Sequence, residues 1–350
     1  MKNINFLASA NTCNGFENHF DSIFSNEKSF TYILKGGPGT GKSTFMKKLA
    51  DIYEKKGFCV KRYFCSSDPQ SLDGVRIVEK NICIVDGTSP HTTECSIPGV
   101  REVILNLGSA IKENIKSKKR TIEYLLAQKS KCFEIAYGYL MTAGKLIETS
   151  KIMAKSKNFL LENKKSKKYT NNLNKKKKDD IINKQVDVIN AQEEANKLVK
   201  SLQLNSGNFG KRQLYFSYFT ANGVKRVENN IKRIIKLPYS FFDGVEVLRQ
   251  LSALCEQKGV ELIEILSPIC CGELEGVYLP QSDSYITLDE ESYKSIPNYT
   301  EILNLLKKGG KYIDKARSFH LKIEKYYVKN MDFDLINRMF DEVNSKIELA

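Results

Sequence analysis

The chain has 350 residues, a formal net charge of +14, 41% hydrophobic residues and 27% charged residues. Its length exceeds the ~100–200 residues of a typical domain, so we expect two domains, each with its own core. The near-average composition, without a run of ~18 apolar residues, argues against a membrane-spanning protein, and the start of the chain lacks the apolar core of a secretory signal. We therefore expect a cytoplasmic protein without a membrane partner.

The charge and the cysteines do not by themselves indicate a function. Much of the positive charge lies in residues 151–200, where the cations are lysines, and an AT-rich coding sequence produces the same bias. The nine cysteines include no C-x-x-C pair, which predicts buried, reduced thiols without disulfides or zinc spacing. The three histidines are too dispersed to predict a metal cluster.

The early part of the chain has the pattern of an α/β sheet. Four β-prone stretches are predicted as strands, at 30–35, 58–65, 74–78 and 81–86. A helical pattern lies between the first two and ends at Gly57, a residue suited to a helix C-terminus. Strand, loop, helix and strand in this order predict a parallel sheet.

The sequence pattern changes after this predicted sheet. From about 101 to 205 the spacing of apolar residues predicts helices, and the lysine-rich residues 162–180 are expected to be an exposed tip or a flexible loop. Strand-like and helical patterns resume from 212, and the chain ends with another helical pattern.

Two parts of the chain resemble each other when the sequence is shifted by 202 residues. LDGV at 72–75 then faces LEGV at 274–277, and Gly57 faces Gly259. The positions suited to phosphate chemistry change together: Lys42 faces Gly244, Ser43 faces Val245, Asp68 faces Cys270 and Asp86 faces Leu288. We expect an internal duplication whose second copy has kept its sheet and lost its site.

The stretch GGPGTGKS at 36–43 fits the phosphate-binding pattern G-x-x-x-x-G-K-[ST] between a predicted strand and a predicted helix. Its glycines permit positive φ, so that backbone N–H groups converge on phosphate oxygens at the helix N-terminus. Lys42 is expected to contact the β- and γ-phosphates, Ser43 to ligate Mg²⁺ and Thr44 to bind the α-phosphate. The predicted nucleotide-binding residues are Gly36, Gly37, Pro38, Gly39, Thr40, Gly41, Lys42, Ser43 and Thr44.

Two aspartates are candidates to complete this site. Asp86 follows four apolar residues in ICIVDGT and is expected to hold the Mg²⁺ shell; an aspartate that only caps the next turn is the alternative. Asp68, in CSSDPQSLDG, follows another strand at the sheet edge where ligands bind. It is a candidate base, metal ligand or acceptor-binding group, or an Asp-Pro turn without chemistry. The predicted catalytic residues are Lys42, Asp86 and Asp68, and the metal ligands are Ser43 and Asp86.

Two further residues are weaker candidates. His91, in GTSPHTTE, is expected to be a surface-loop histidine, with phosphate sensing or proton uptake as the alternative. Asp73 is weaker than Asp68, because its counterpart Glu275 keeps the charge in the half that has lost the lysine.

Several motifs carry a family resemblance. GGPGTGKST resembles the Walker A loop of AAA-type and related P-loop ATPases. Together with NTCNGF, CSSDPQSLDG, VDGTSPH and the late YYVKNMDFD, it resembles an uncharacterised bacterial family of tandem P-loop ATPase-like proteins over nearly the whole chain. This resemblance implies two P-loop-like halves and ATP binding, without a settled substrate. KLPYSFFDGVEV departs from it in the second half.

We therefore expect an α/β fold with a P-loop NTPase-type parallel sheet flanked by helices, duplicated and carrying a long helical insertion. The expected domains are a nucleotide-binding domain at 1–100, a helical arm with a lysine-rich tip at 101–205, and a degenerate P-loop-like repeat with C-terminal helices at 206–350.

The expected function is that of an ATPase that binds Mg-ATP at one active site and couples hydrolysis to movement of the helical arm. The cofactors would be ATP and Mg²⁺; ATP is favoured over GTP because no N-K-x-D guanine reader is found. A small-molecule kinase is one alternative. A nucleotide-gated binding module for an unknown protein, an acidic partner or a nucleic acid is another, although the tip lacks the arginines and aromatics that favour nucleic acid.

Overall fold

The structure is a computed structural model that describes residues 3–23, 29–171, 190–204 and 210–350, with only the backbone described for 155–171. The predicted lysine-rich tip at 162–180 therefore falls where side chains or whole residues lie outside the described part. Within the described ranges, no helix combines the length and apolar character needed to span a membrane. The chain is a mixed α/β protein whose sheets contain parallel strands.

The structure confirms most of the predicted elements within a few residues. The strands before the long helix are β1 (Asn5–Phe6), β2 (Ser9–Thr12), β3 (Gly15–Asn18), β4 (Phe30–Lys35), β5 (Val60–Phe64), β6 (Leu72–Ile77), β7 (Ile82–Asp86) and β8 (Glu102–Asn106). Those of the second half are β9 (Lys211–Leu214), β10 (Ser217–Thr220), β11 (Gly223–Arg226), β12 (Arg233–Leu237), β13 (Leu262–Leu266), β14 (Leu274–Leu279) and β15 (Ser284–Leu288). The helices are α1 (Lys42–Lys55), α2 (Lys119–Asn171), α3 (Ala191–Ser201), α4 (Phe241–Gln257), α5 (Glu290–Tyr293), α6 (Tyr299–Val328) and α7 (Phe333–Leu349).

The first sheet has the strand order β1-β5-β6-β7-β4-β8. β4 is parallel to β7 and β8, and β1 is parallel to β5. β6, however, runs antiparallel to both of its neighbours, so the expectation of a parallel sheet is wrong for this strand. The reason is that short turns at 65–71 and 78–81 connect it, whereas a parallel connection needs a crossover of roughly a dozen residues or more.

A second correction concerns the segment expected to be helical from residue 101. Residues Glu102–Asn106 form β8 and extend the sheet beside β4, and α2 begins only at Lys119. The sequence of β8, EVILN, is too short to distinguish a strand from a helix by periodicity. Its pairing with β4 decides the conformation.

The second sheet repeats the first in order and in direction. Its order β9-β13-β14-β15-β12 matches β1-β5-β6-β7-β4, and each pair of neighbours keeps its parallel or antiparallel sense. The β5–β6 ladder shifts register between Tyr63 and Phe64, and the β13–β14 ladder shifts between Ile265 and Leu266. Even this irregularity recurs after 202 residues. The hairpin β2–β3 likewise has a counterpart in β10–β11.

The two halves meet through backbone and covalent contacts. Leu7 and Tyr215 exchange both of their backbone hydrogen bonds, each at 2.9 Å. Cys13 and Cys271 form a disulfide with a Cα–Cα distance of 6.2 Å, so the expectation of reduced thiols is wrong for this pair. Sequence spacing could not reveal it, because the two cysteines lie 258 residues apart and meet only when the halves pack.

Long helices connect the two sheets and pack against both halves of the chain. α2 and α6 pack along each other, and α6 also packs on the hairpin β10–β11. α7, although it follows the second sheet in the chain, lies on the first: the ring of Phe340 packs edge-on against Phe45 of α1 at 5.1 Å. The C-terminal helices therefore return the chain to the first half.

We expect Gly310→Ala to destabilise the protein. Gly310 lies inside α6, and a Cβ there would collide with the backbone carbonyl of Thr220 in β10. Because backbone must shift to make room, the free energy of unfolding should fall by about 1–3 kcal/mol, measured by denaturant titration. Gly138→Ala in α2 is the matched control, since no atom lies within 4 Å of its Cβ position, and it should gain up to ~1 kcal/mol. A loss of equal size in both variants would contradict the packing argument.

Candidate functional site

The glycine-rich loop connects β4 to α1 at one edge of the first sheet. Gly39 and Gly41 have φ values of 73° and 93°, in the left-handed region that side chains disfavour. Gly41 is also the N-cap of α1 and offers no side-chain cap. The first N–H groups of the helix are therefore not capped by a side chain from this position, which is the arrangement that suits an anion.

Lys42 folds back over the loop. Its Nζ donates hydrogen bonds to the carbonyl oxygens of Gly36 at 2.7 Å and Gly37 at 3.0 Å. It also lies 3.6 Å from Oδ2 of Asp86, and both side chains are largely buried. The lysine is thus held at the centre of the loop, beside the predicted metal-binding aspartate.

Asp86 caps the next turn, the alternative that the sequence left open, and it also faces Lys42. Its Oδ1 accepts a hydrogen bond from the backbone N of Thr88 at 2.8 Å, so it does cap the next turn. Its Oδ2 faces Lys42. Thr88 in turn donates from Oγ1 to the Gly36 carbonyl at 3.0 Å, which fixes this turn against the loop.

Two hydroxyl side chains of the loop also form hydrogen bonds with backbone groups. Thr40 is fully buried and donates to the Gly37 carbonyl at 2.9 Å. The hydroxyl of Ser43 accepts a hydrogen bond from the backbone N of Leu72 at 3.0 Å; a hydroxyl oxygen has a second lone pair for a further ligand.

Strand directions explain why these groups meet. β4 and β7 are parallel neighbours, with Leu34 opposite Asp86, so the loop and Asp86 leave the sheet at the same edge. β5 runs in the same direction because β6 is antiparallel to both β5 and β7. Residues that follow β5 and residues near the start of β6 therefore reach this edge too.

A cavity of about 760 Å³ lies at this edge. Pro38–Thr44, Asp68 and Asp86 line it. Gly36 and Gly37 do not line it, and their carbonyl oxygens accept hydrogen bonds from Lys42. The opposite wall comes from α2 and α6, with Lys129, Phe133, Tyr137, Arg317, His320 and Glu324. The arm and the returning C-terminal helix thus enclose the predicted phosphate site.

Helix α6 also approaches the glycine-rich loop closely at Gly37 and Gly39. A Cβ on Gly39 would lie 2.8 Å from both Cγ and the carbonyl oxygen of Glu324, and one on Gly37 would lie 3.0 Å from the ring of Tyr327. The close approach of α6 therefore requires glycine at both positions.

Asp68 lies in the cavity but is not a free carboxylate. Its Oδ1 is 2.6 Å from an Nη atom of Arg317 on α6. Its Oδ2 accepts a hydrogen bond from Ser71 at 2.7 Å, and its Oδ1 faces the backbone N of Gln70 at 3.4 Å. The structure therefore places Asp68 as the partner of an arginine inside an Asp-Pro turn.

Burial shifts the pKa of three side chains in the α2–α6 wall of the cavity. Burial, reinforced by the charge of Lys129, lowers the pKa of His320 to about 4. Burial also lowers the pKa of Lys129, with Lys42 acting in the same direction, and it raises the pKa of Glu324, with Asp68 contributing. Burial in this wall therefore favours the neutral form of all three groups.

His91 is not the surface residue expected from its loop. It is 7% exposed, and its Nε2 lies 3.4 Å from Oδ2 of Asp73. Its ring packs against Phe16 and Phe20, with centroids 5.2 and 5.0 Å away. Burial raises the pKa of Asp73 to about 6, and Asp86 adds to this rise while His91 opposes it. Cys65 completes this cluster.

The matching edge of the second half lacks every one of these phosphate-binding features. Residues 238–240 alone connect β12 to α4, and Ser240 caps the helix by accepting a hydrogen bond from the Asp243 N–H. A Cβ on Gly244 would lie 2.5 Å from Leu288. An apolar contact thus replaces the Lys42–Asp86 pair at the same two positions.

Sequence reasoning did not identify Arg317, His320, Glu324, Lys129 or Cys65. The first three share one face of α6 at helical spacing, a pattern that also fits a solvated helix. Only the packing of α6 on the loop gives them a role. Cys65 carried one signal: it is the last residue of a predicted strand, as Asp86 is.

No family model, no curated protein and no solved structure matches this chain.

We expect His320 to make the protein acid-sensitive. Its pKa is about 4 in the folded protein and ~6.5 when unfolded, so protons bind the unfolded chain first as the pH falls. Stability should be lost as the pH falls from about 6.5 toward 4, and His320→Gln should remove about 1–2 kcal/mol of that loss at pH 5. Denaturant titrations at pH 7 and pH 5 measure this difference. Equal pH dependence in the two proteins would show that His320 titrates normally.

Proposed function

We propose that this chain binds Mg-ATP in its first half and hydrolyses it slowly at that one site. The observation that carries the proposal is the convergence of Lys42, Ser43 and Asp86 at the N-terminus of α1, within a loop whose Gly39 and Gly41 have positive φ. Phosphate chemistry explains this combination, because converging N–H groups, a lysine and a metal-binding hydroxyl complement a triphosphate with its metal.

The residues of the loop would act as follows. Lys42 would exchange the carbonyl oxygens of Gly36 and Gly37 for phosphate oxygens. The Ser43 hydroxyl and the Asp86 carboxylate fit a hard cation that prefers oxygen ligands, and Mg²⁺ held there would neutralise charge on the phosphates. Asp86 keeps its orientation through the turn it caps.

Arg317 supplies a further cation from outside the loop. It reaches the cavity from α6 and is paired with Asp68 at 2.6 Å. A cation in this position can stabilise charge that develops on a transferring phosphoryl group. We propose this role for Arg317, with Asp68 holding it in place.

We also infer that the two halves arose by duplication and that each chain has a single site. The equal strand order, the equal strand directions and the repeated ladder irregularity support the duplication. The short connection to α4 and the Gly244–Leu288 contact leave the second half without a lysine, a hydroxyl or a carboxylate at the matched positions.

Coupling between hydrolysis and the arm has a physical route. α6 contacts the loop at Gly37 and Gly39, packs along α2, and touches the hairpin β10–β11. A change in the loop on nucleotide binding would therefore act on the arm and on the second half through one helix. The proposed binding of an acidic partner by the lysine-rich tip lies outside the described side chains.

A small-molecule kinase is the second candidate, because the cavity continues past the loop along Phe133 and Tyr137 of α2. That part of the cavity has room for an acceptor. Asp68 could act as its base only after separating from Arg317.

We expect Lys42→Ala to reduce phosphate release from Mg-ATP by about a hundredfold or more, because a cation that contacts the transferring phosphoryl group is removed. Lys55→Ala, an exposed change on the same helix, is the matched control and should behave as the wild type. Repeating the assay with a cell extract separates the two candidates. Phosphate release that depends on Lys42 and occurs without extract supports the hydrolase. Turnover that depends on Lys42 and occurs only with extract supports the kinase. Turnover that survives Lys42→Ala in both assays would refute both.

We expect Arg317→Ala to slow phosphate release by at least about a hundredfold while nucleotide affinity changes little. Nucleotide binding measured by calorimetry, together with kcat, separates these effects. Arg338→Ala, an exposed arginine on α7, serves as the control. A parallel loss of affinity and rate would mean that Arg317 only supports the shape of the cavity.

A further inference from the structure

A second group of side chains lies beside the proposed phosphate site. The Cys65 thiol, the Asp73 carboxylate and the His91 imidazole each place one potential ligand atom within 4.8 Å of the others. Cys65 follows β5, Asp73 lies in β6 and His91 lies in the turn after β7. Three neighbouring strands thus deliver a sulfur, an oxygen and a nitrogen donor to one point.

Cys65 is partly exposed, whereas Asp73 and His91 are buried and incompletely satisfied. Asp73 is 4% exposed and His91 is 7% exposed. Among the described residues, Oδ2 of Asp73 and Nδ1 of His91 have no hydrogen-bond partner. Leaving a buried polar atom unpaired is costly, so Oδ2 of Asp73, which faces Nε2 of His91, calls for a ligand. The Phe16 and Phe20 rings hold the imidazole in place.

The spacing of the donors fits metal coordination better than a hydrogen bond. Nε2 of His91 and Oδ2 of Asp73 are 3.4 Å apart, beyond the ~2.7–3.2 Å of an N–H···O bond. Two ligands at ~2.0–2.2 Å from a tetrahedral ion lie about 3.3–3.5 Å from each other. The pair already has the separation that such an ion imposes.

The second half provides an internal comparison. Glu275 in β14 occupies the position of Asp73 in β6 and is equally buried. Its carboxylate is paired with Arg226 at 2.6 Å. In β3, Asn18 occupies the position that Arg226 occupies in β11. The second half therefore supplies its own cation to the buried carboxylate, whereas the first half has an amide at that place.

The sulfur donor differs in the same way. Cys65 and Ser267 are matched, since each donates its backbone N–H across the following turn, to Ser71 at 3.0 Å and to Glu273 at 2.9 Å. At this matched position a thiol thus occurs only in the half whose carboxylate lacks the arginine. Sulfur and imidazole donors select zinc-class ions over Mg²⁺.

We propose that Cys65, Asp73 and His91 bind a divalent transition-metal ion of the zinc class, with a fourth position open to the cavity. All three residues line that cavity, and three protein ligands with one open position are typical of reactive zinc sites. This site uses none of the residues proposed to hold Mg²⁺, Ser43 and Asp86. It does not depend on ATP hydrolysis by the chain.

The test uses Co²⁺ alone as a spectroscopic probe on the purified full-length chain after chelator treatment and dialysis. We expect one equivalent to bind with an intense near-ultraviolet thiolate-to-cobalt band and the visible bands of tetrahedral cobalt, and Zn²⁺ to abolish both. Cys65→Ser should lose the thiolate band. Asp73→Asn and His91→Gln should each weaken binding at least about 10–100-fold, the loss that outer-shell partners alone cause.

Two controls make the result specific. Cys95→Ser, a change of another free and partly exposed cysteine nearby, should keep the full spectrum. Lys42→Ala should also keep it, so a failure of the nucleotide proposal leaves this one intact. If the wild-type chain shows no thiolate band at stoichiometric Co²⁺, the proposal is overturned, whether or not the variants fold. A thiolate band that persists in folded Cys65→Ser would also overturn it.

Discussion

The contact between α6 and the glycine-rich loop constrains most of this structure. The carbonyl oxygen of Glu324 lies 2.8 Å from where a Cβ on Gly39 would be, and nearer the start of the helix Gly309 and Gly310 let α6 come close to the backbone of α2 and of β10. Because three close backbone approaches are made by one continuous helix, α6 cannot move away from one surface without disturbing the others. The geometry of the loop is thereby tied to the packing of the whole chain.

Charge balance distinguishes the two halves. At the first edge each cation has an internal acceptor: Lys42 has loop carbonyls and Asp86, and Arg317 has Asp68. These pairs satisfy the buried charge. At the second edge, Leu288 stands at the position matched to Asp86. The two sheets share a strand order and differ in whether this edge carries paired charges or an apolar contact.

How far the sequence predicts this arrangement depends on how local each feature is. The loop, α1 and the convergence of Lys42 with Asp86 follow from contiguous motifs and strand order, and the structure brings these residues together. The direction of β6 depends on turn lengths. The burial of His91 and the Cys65–Asp73–His91 cluster depend on how three turns pack. The role of α6 could not be foreseen, because its contacts join residues nearly 300 positions apart.

The pairing of Leu7 with Tyr215 has one more consequence. These residues hold the same place relative to the hairpins β2–β3 and β10–β11, and they bond reciprocally to each other. Equivalent positions that meet themselves define an approximate two-fold axis, as in an isologous homodimer. The two sheets and their hairpins are thus arranged about this axis much as two protomers are in a dimer. A substitution on the axis would affect both sheets, whereas one at either sheet edge would affect one.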